Sequence, residues 1–167
     1  MPTIIAFDQL VGRFQVTQNV KNQTTVEDFI DSIEKSTIIK ILGATLGNEF
    51  WDDLDVDGVP QEQRFLDIYE AFDLDDNSCI KSSKGISEIL LGITYAQYTR
   101  KSDSFNTDIG NQAIQGENSS RADITMKVVN AYNDAVDSIK AIQWYIKENE
   151  EDYEGYNGQD FTYWMTF

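Results

Sequence analysis

"RADITMKVVNAYNDAVDSIKAIQWYIKE", residues 121 to 148, decides how the rest of this 167-residue chain is read. Its apolar side chains Ile124, Val128, Tyr132, Ala135, Ile139, Ile142 and Ile146 step by four, four, three, four, three and four. That is the period of a helix with one buried stripe. The spacing predicts one long helix, started by Ser119 or Ser120.

A helix with such a stripe needs partners, and the sequence supplies them upstream. From about Ser83 to Arg100, Ile86, Ile89, Leu90, Ile93 and Ala96 fall on one face, with Gly92 inside the pattern. Between these two helices lies "SDSFNTDIGNQAIQGENSS", residues 102 to 120, rich in Asn, Ser and Gly and poor in apolar anchors. It reads as a long loop, uncommon in a compact domain unless it has work to do. Near the start, Thr24-Thr25-Val26-Glu27 fits a capping box, which predicts a helix from about Thr25 with Val26, Phe29, Ile30 and Ile33 on one face. Ile38, Ile39, Ile41 and Leu42 continue to Gly43, and Leu46, Phe50 and Leu54 follow at intervals of four, which predicts two short helices joined by a kink. Gln61 to Phe72 is a further amphipathic stretch, and residues 73 to 83 read as a loop. With only two prolines, Pro2 and Pro60, the expected fold is all-α: a small helical bundle with one long C-terminal helix, a long inter-helix loop and an extended aromatic C-terminal arm. Residues 1–152 form the single expected domain and 153–167 the arm.

Composition excludes much. A hydrophobic content of 41% suffices for one core. Twenty-nine acidic residues against 13 basic ones give a formal charge of −16, which repels free nucleic acid and attracts basic surfaces or cations. The absence of histidine removes Ser-His and Cys-His catalysis and His-ligated metals; the lone Cys79 leaves no internal disulfide and no thiolate cluster. No stretch approaches the roughly 20 apolar residues of a membrane helix, and Met1 to Gln9 lacks the basic start of a signal peptide, so a cytoplasmic origin is expected. No enzymatic activity and no cofactor are expected.

Two acidic stretches invite a calcium reading. "DLDVDGVPQEQR", residues 53 to 64, sets Asp53, Asp55, Asp57 and Gly58 at EF-hand positions, and "DLDDNSCIKSSK" repeats the opening with Asp73, Asp75 and Asn77. Position twelve, which must supply a bidentate carboxylate, is Arg64 in the first and Lys84 in the second. A fixed cation there removes two ligand oxygens and repels the ion. Residues 65 to 72 are also too few for an exiting and an entering helix. The acids read instead as turn formers and helix caps. Runs such as Asp52-Asp53, Asp75-Asp76 and Glu148 to Asp152 read as solvated faces, because adjacent exposed acids do not split their pKa values as an acid/base pair requires. Phe50 and Trp51 read as core anchors, and Gly85 and Gly92 match no phosphate-binding loop.

The end of the chain asks for a surface. "YEGYNGQDFTYWMTF", residues 153 to 167, carries Tyr153, Tyr156, Phe161, Tyr163, Trp164, Met165 and Phe167, with Phe161, Tyr163, Met165 and Phe167 alternating as in a strand after the Asn157-Gly158 turn. These seven residues are the candidate interface. Either the arm's own domain or another chain covers them, and both readings stand open at this level. Burying an aromatic side chain contributes roughly 1.5 to 3 kcal/mol, enough for the arm to hold a subunit contact. On the assembly reading, deleting residues 153 to 167 leaves a folded monomer; on the self-packing reading it unfolds the chain.

Taken in order, "FDQLVGRFQVTQNV", "TVEDFIDSIEKSTIIKILGATLGNEFWDDL", "ITYAQYTRKSDSFNTDIGNQAIQGENSSRAD" and "YNGQDFTYWMTF" resemble the head-tail connector (adaptor) proteins of tailed bacteriophages, nearest to those of Bacteroidales phages and prophages, including the crAss-like group. The resemblance spans almost the whole chain and carries no catalytic residue. It implies a small all-helical protein of the virion neck, made in the bacterial host cytoplasm. Such a protein forms a ring with its own copies beneath the portal, contacts the portal and tail proteins, and lets DNA pass without specific binding. The contact regions it implies are residues 102 to 120 and 153 to 167. An electronegative bore suits sliding DNA, since basic contacts to phosphates would retain it. The alternative from composition alone is a soluble acidic inhibitor or DNA mimic that occupies a basic partner.

Overall fold

A computed structural model describes residues 2–16, 20–76, 79–102, 106–107, 110–111 and 121–165. Five helices, α1 (Val20–Leu42), α2 (Ala44–Asp52), α3 (Gln63–Tyr69), α4 (Ile86–Ser102) and α5 (Arg121–Glu148), carry the core. The bounds of α5 are those its apolar period predicts. Val128, Ala135, Ile139, Ile142 and Ile146 are buried and Tyr132 is partly so, while the Ile124 side chain and the Ser119 and Ser120 caps lie outside the described residues. A second set, Val129, Val136 and Ala141, is buried as well, so α5 is wrapped on more than one side. Its chief partner is α4, whose predicted stripe of Ile86, Ile89, Leu90, Ile93 and Ala96 is all but inaccessible. Gly92 permits this pairing: a Cβ there would lie 2.9 Å from the Ala131 carbonyl oxygen on α5.

Three local expectations are corrected. The first helix begins by Val20, with Thr24 inside it; Glu27 accepts a hydrogen bond from Gln23 Nε2 one turn back (2.8 Å) and does not close a capping box. It also runs unbroken through Ser36 to Leu42. The kink lies where the sequence reading put it, at Gly43, whose φ of 89° ends α1 and begins α2. Residues 73 to 83 are no plain loop: β1 (Phe72–Asp76) and β2 (Cys79–Ser83) pair antiparallel, Phe72 opposite Ser83 and Leu74 opposite Lys81. The hairpin lies on α5, where the Phe72 and Tyr145 rings meet at 5.3 Å. The fold is therefore mainly helical, with a small sheet. Of the expected loop at 102 to 120, a two-residue ladder joins β3 (Asn106–Thr107) to β4 (Gly110–Asn111); the rest lies outside the described residues.

Two acidic residues of the first calcium-like stretch, Asp53 and Asp55, accept backbone amides. Asp55 Oδ1 accepts from the Asp57 and Val59 amides, and Asp53 Oδ2 from those of Gln61 and Glu62 at the entrance to α3. Carboxylates so engaged make a turn and a helix start. Phe50 and Trp51 are buried, and Phe50 meets Phe65 of α3 edge-on at 5.4 Å.

Before α1, residues 2 to 16 form a strap across the bundle. Glu34, on α1 and fully buried, accepts the Ile4 and Ile5 amides on one oxygen (3.0 and 2.7 Å), while its other oxygen has no partner. Burial raises its pKa to about 7, with Asp31 adding to the shift against the lowering effect of the two amides. Farther along the strap, Arg13 forms ion pairs with Glu88 of α4 and Asp134 of α5.

Candidate interface: an arm that caps a helix

Gly43 donates the last helical hydrogen bond of α1, to the Ile39 carbonyl, and leaves the carbonyls of Lys40, Ile41 and Leu42 without helical partners. The C-terminal arm supplies them. The Gln159 amide donates to the Lys40 carbonyl (2.7 Å) and the Asn157 amide to that of Leu42 (3.3 Å). The carbonyl between them, that of Ile41, accepts from Gln143 Nε2 on α5 (3.3 Å), and the same amide group donates to the Gln159 carbonyl (2.9 Å). Two glycines make the approach possible. A Cβ at Gly158 would lie 2.1 Å from the Ile41 carbonyl oxygen, and one at Gly43 would meet the Asn157 backbone at 2.8 Å.

From there the arm runs antiparallel along α5. Tyr153 is buried at its root, its hydroxyl donating to the Arg64 carbonyl (2.5 Å), and Tyr156 packs against the core. Burial pushes the Tyr156 hydroxyl up to about 12, helped by Asp160, and raises that of Tyr153 too. Tyr163 donates to Asp137 Oδ1 (2.5 Å) under the Lys140 ammonium, 3.8 Å from its ring centroid. Trp164 is held by Asn133, which accepts from its amide (2.8 Å) and donates to its carbonyl (3.1 Å). The indole stacks on Tyr132 at 4.0 Å and 11°, with the Arg100 guanidinium 5.1 Å from its ring.

The seven sequence candidates thus divide. Tyr153, Tyr156, Phe161 and Trp164 pack onto the chain's own core. Tyr163 and Met165 are exposed, at 46% and 74%, and Phe167 lies outside the described residues. The strand-like alternation is corrected: residues 156 to 165 form neither helix nor strand, and Phe161 and Trp164 turn inward while Tyr163 and Met165 turn out. An arm that docks on a helix meets ridges spaced by three and four, so a period of two has nothing to fit. Sequence reading passed over Gln143, Asn133 and Gly43 as partners of the arm. A glutamine flanked by Ile142 and Ile146 was the available signal, since a buried amide needs partners.

Arg64, which occupies position twelve of the first calcium-like stretch, is a joint between elements. Its guanidinium pairs with Glu62 (2.7 Å) and Glu49 (3.3 Å) and reaches the Asp152 carbonyl, tying α2 and α3 to the root of the arm. Glu49 and Glu62 make its immediate surroundings acidic, and the end of α5 and the chain that follows it expose Glu148, Glu150, Glu151, Asp152 and Glu154. Among the described residues no group of three or more potential metal ligands is arranged to hold an ion, and no helix is long and apolar enough to cross a membrane. Compared with family models, curated proteins and solved structures, the chain finds no match.

Proposed function

We propose that this chain is a structural virion protein, a head-tail connector that forms a ring between the portal and the tail of a bacteriophage. One observation supports the reading best. The carboxylates of Asp53 and Asp55 and the Tyr153 hydroxyl are engaged in holding the fold, and the described surface exposes many carboxylates and a few large apolar residues, among them Met126, Tyr163 and Met165. A scaffold whose work is adhesion has this surface. With Tyr153, Tyr156, Phe161 and Trp164 packed on the domain, the exposed Tyr163 and Met165 remain for contact with neighbouring copies or with portal and tail proteins, beside Phe167 and residues 102 to 120, whose contacts lie outside the described residues. Some of the acids line the bore and let DNA slide.

Co-expression with the portal protein that this reading expects the same locus to encode, followed by electron microscopy, tests the reading: ring-shaped complexes are expected. A locus without portal, capsid or terminase genes overturns it, and a ring with a neutral or basic bore removes the role given to the acids. A second reading, an acidic inhibitor or DNA mimic, draws on the acidic surface around Arg64. It requires a monomer or dimer that binds a basic protein with steep salt dependence and forms no ring.

A further inference from the structure

Against an overall charge of −16, three lysines face one cleft. The cleft, of about 600 Å³, lies between the hairpin, α5 and the arm, and its walls include Lys81 of β2, Lys140, Trp144 and Lys147 of α5, and Tyr163 of the arm. Lys140, Trp144 and Lys147 share a helix face because they are spaced by four and three. The two lysine Cα atoms therefore stand about 10 Å apart. Lys81 lies over the Trp144 ring at 4.2 Å and Lys140 over Tyr163, which fixes two of the ammoniums on aromatic faces. Among the described residues neither Lys140 nor Lys147 forms an ion pair, although acidic residues outnumber basic ones by more than two to one.

We propose that this cleft receives the acidic segment 148–154 of a second copy of the chain. The inference rests on the assembly reading above and names the contact by which copies meet. Charge complementarity selects the occupant. Glu148, Glu150, Glu151, Asp152 and Glu154 are all exposed, on a segment fixed by the amides of Asp152 and Tyr153 donating to the carbonyls of Asn149 and Glu150, and by the buried Tyr153 near its end. A segment already ordered loses little entropy on docking. The cleft wall also contains Asp137 and Asp160, which oppose the dense charge of a phosphate chain and suit the sparser carboxylates of a peptide.

Two charge reversals test this, with thermal melts confirming that each variant folds. Sedimentation velocity of the full chain is run at roughly 30 mM and 300 mM salt, either side of the point where the screening length is about 10 Å. The unaltered chain is expected to self-associate at the lower salt. Lys140→Glu with Lys147→Glu, and separately Glu150→Lys with Glu151→Lys, are each expected to weaken association roughly tenfold or more, as like charges are brought together. Mixed one to one, the two variants are expected to associate again, because each then offers the other an opposite charge. A chain monomeric at both salts overturns the proposal, as does association indifferent to both reversals or a mixture that stays apart. So does inorganic phosphate or a glutamate oligomer that occupies the cleft without any self-association. Portal-dependent rings unchanged by the reversals overturn this contact and leave the connector reading in place.

Discussion

Glu34 couples a titration to the fastening of the strap. Its folded-state pKa of about 7 lies above the ordinary 4.5, so folding favours the neutral carboxyl. That contribution is fully present below about pH 4.5 and is lost as pH rises through about 7. Asp31 works in the same direction, disfavouring the ionised form. Glu34→Gln keeps an acceptor for the two amides and removes the titration. Melting curves between pH 4.5 and 8 are expected to show the variant gaining on the unaltered chain as pH rises, and a difference constant with pH would refute the assignment. At the other close approach, Gly158→Ala drives a methyl group into the Ile41 carbonyl. It is expected to lower stability by about 1 to 3 kcal/mol and to speed amide exchange at Gln159.

At the scale of elements, the arm is part of the domain as much as an appendage. Truncation after Asp152 removes the buried Tyr153, the stacked Trp164 and two donors to the end of α1. Losing a buried aromatic side chain costs roughly 1.5 to 3 kcal/mol, so a clear fall in Tm is expected; an unchanged Tm would return the arm to an assembly role alone. The hairpin offers a parallel case, where Phe72→Ala strips a ring from Tyr145 and is expected to cost about 2 to 4 kcal/mol by chemical denaturation. The α4–α5 pair was legible in the chain because a stripe of Ile, Leu and Val at three and four residue steps has one reading over such lengths. The hairpin was hidden because Asp73, Asp75 and Asp76 are poor strand formers and only Phe72 and Leu74 carry the alternation. Thr24 to Glu27 looked like a beginning because a capping box is a four-residue signal, which a 23-residue helix can contain without starting there. Of the interface candidates, sequence identified the aromatic residues but not their orientation. That depends on Asn133, Gln143 and Gly43, which lie between 14 and 114 residues away from Asn157 and carry no local mark.

For the whole molecule, charge sets the terms. A chain at −16 repels itself, and the ion pairs of Arg13, Arg64 and Lys84 offset only part of this. Added salt is therefore expected to raise Tm between roughly 30 and 300 mM, the reverse of a protein whose surface pairs dominate. The same salt is expected to weaken contact between copies, so stability and association should move in opposite directions. A common direction would show that one of the two electrostatic accounts is misplaced.

Because the arm is rooted at one extremity of α5 and lies back along it, a tug on Met165 would peel it rather than shear it. Trp164 would lift first, then Tyr163, then the rungs at Gln159 and Asn157, with Tyr153 leaving last. A neighbour grasping the tip could thus draw out several residues of slack while the bundle beneath stays closed.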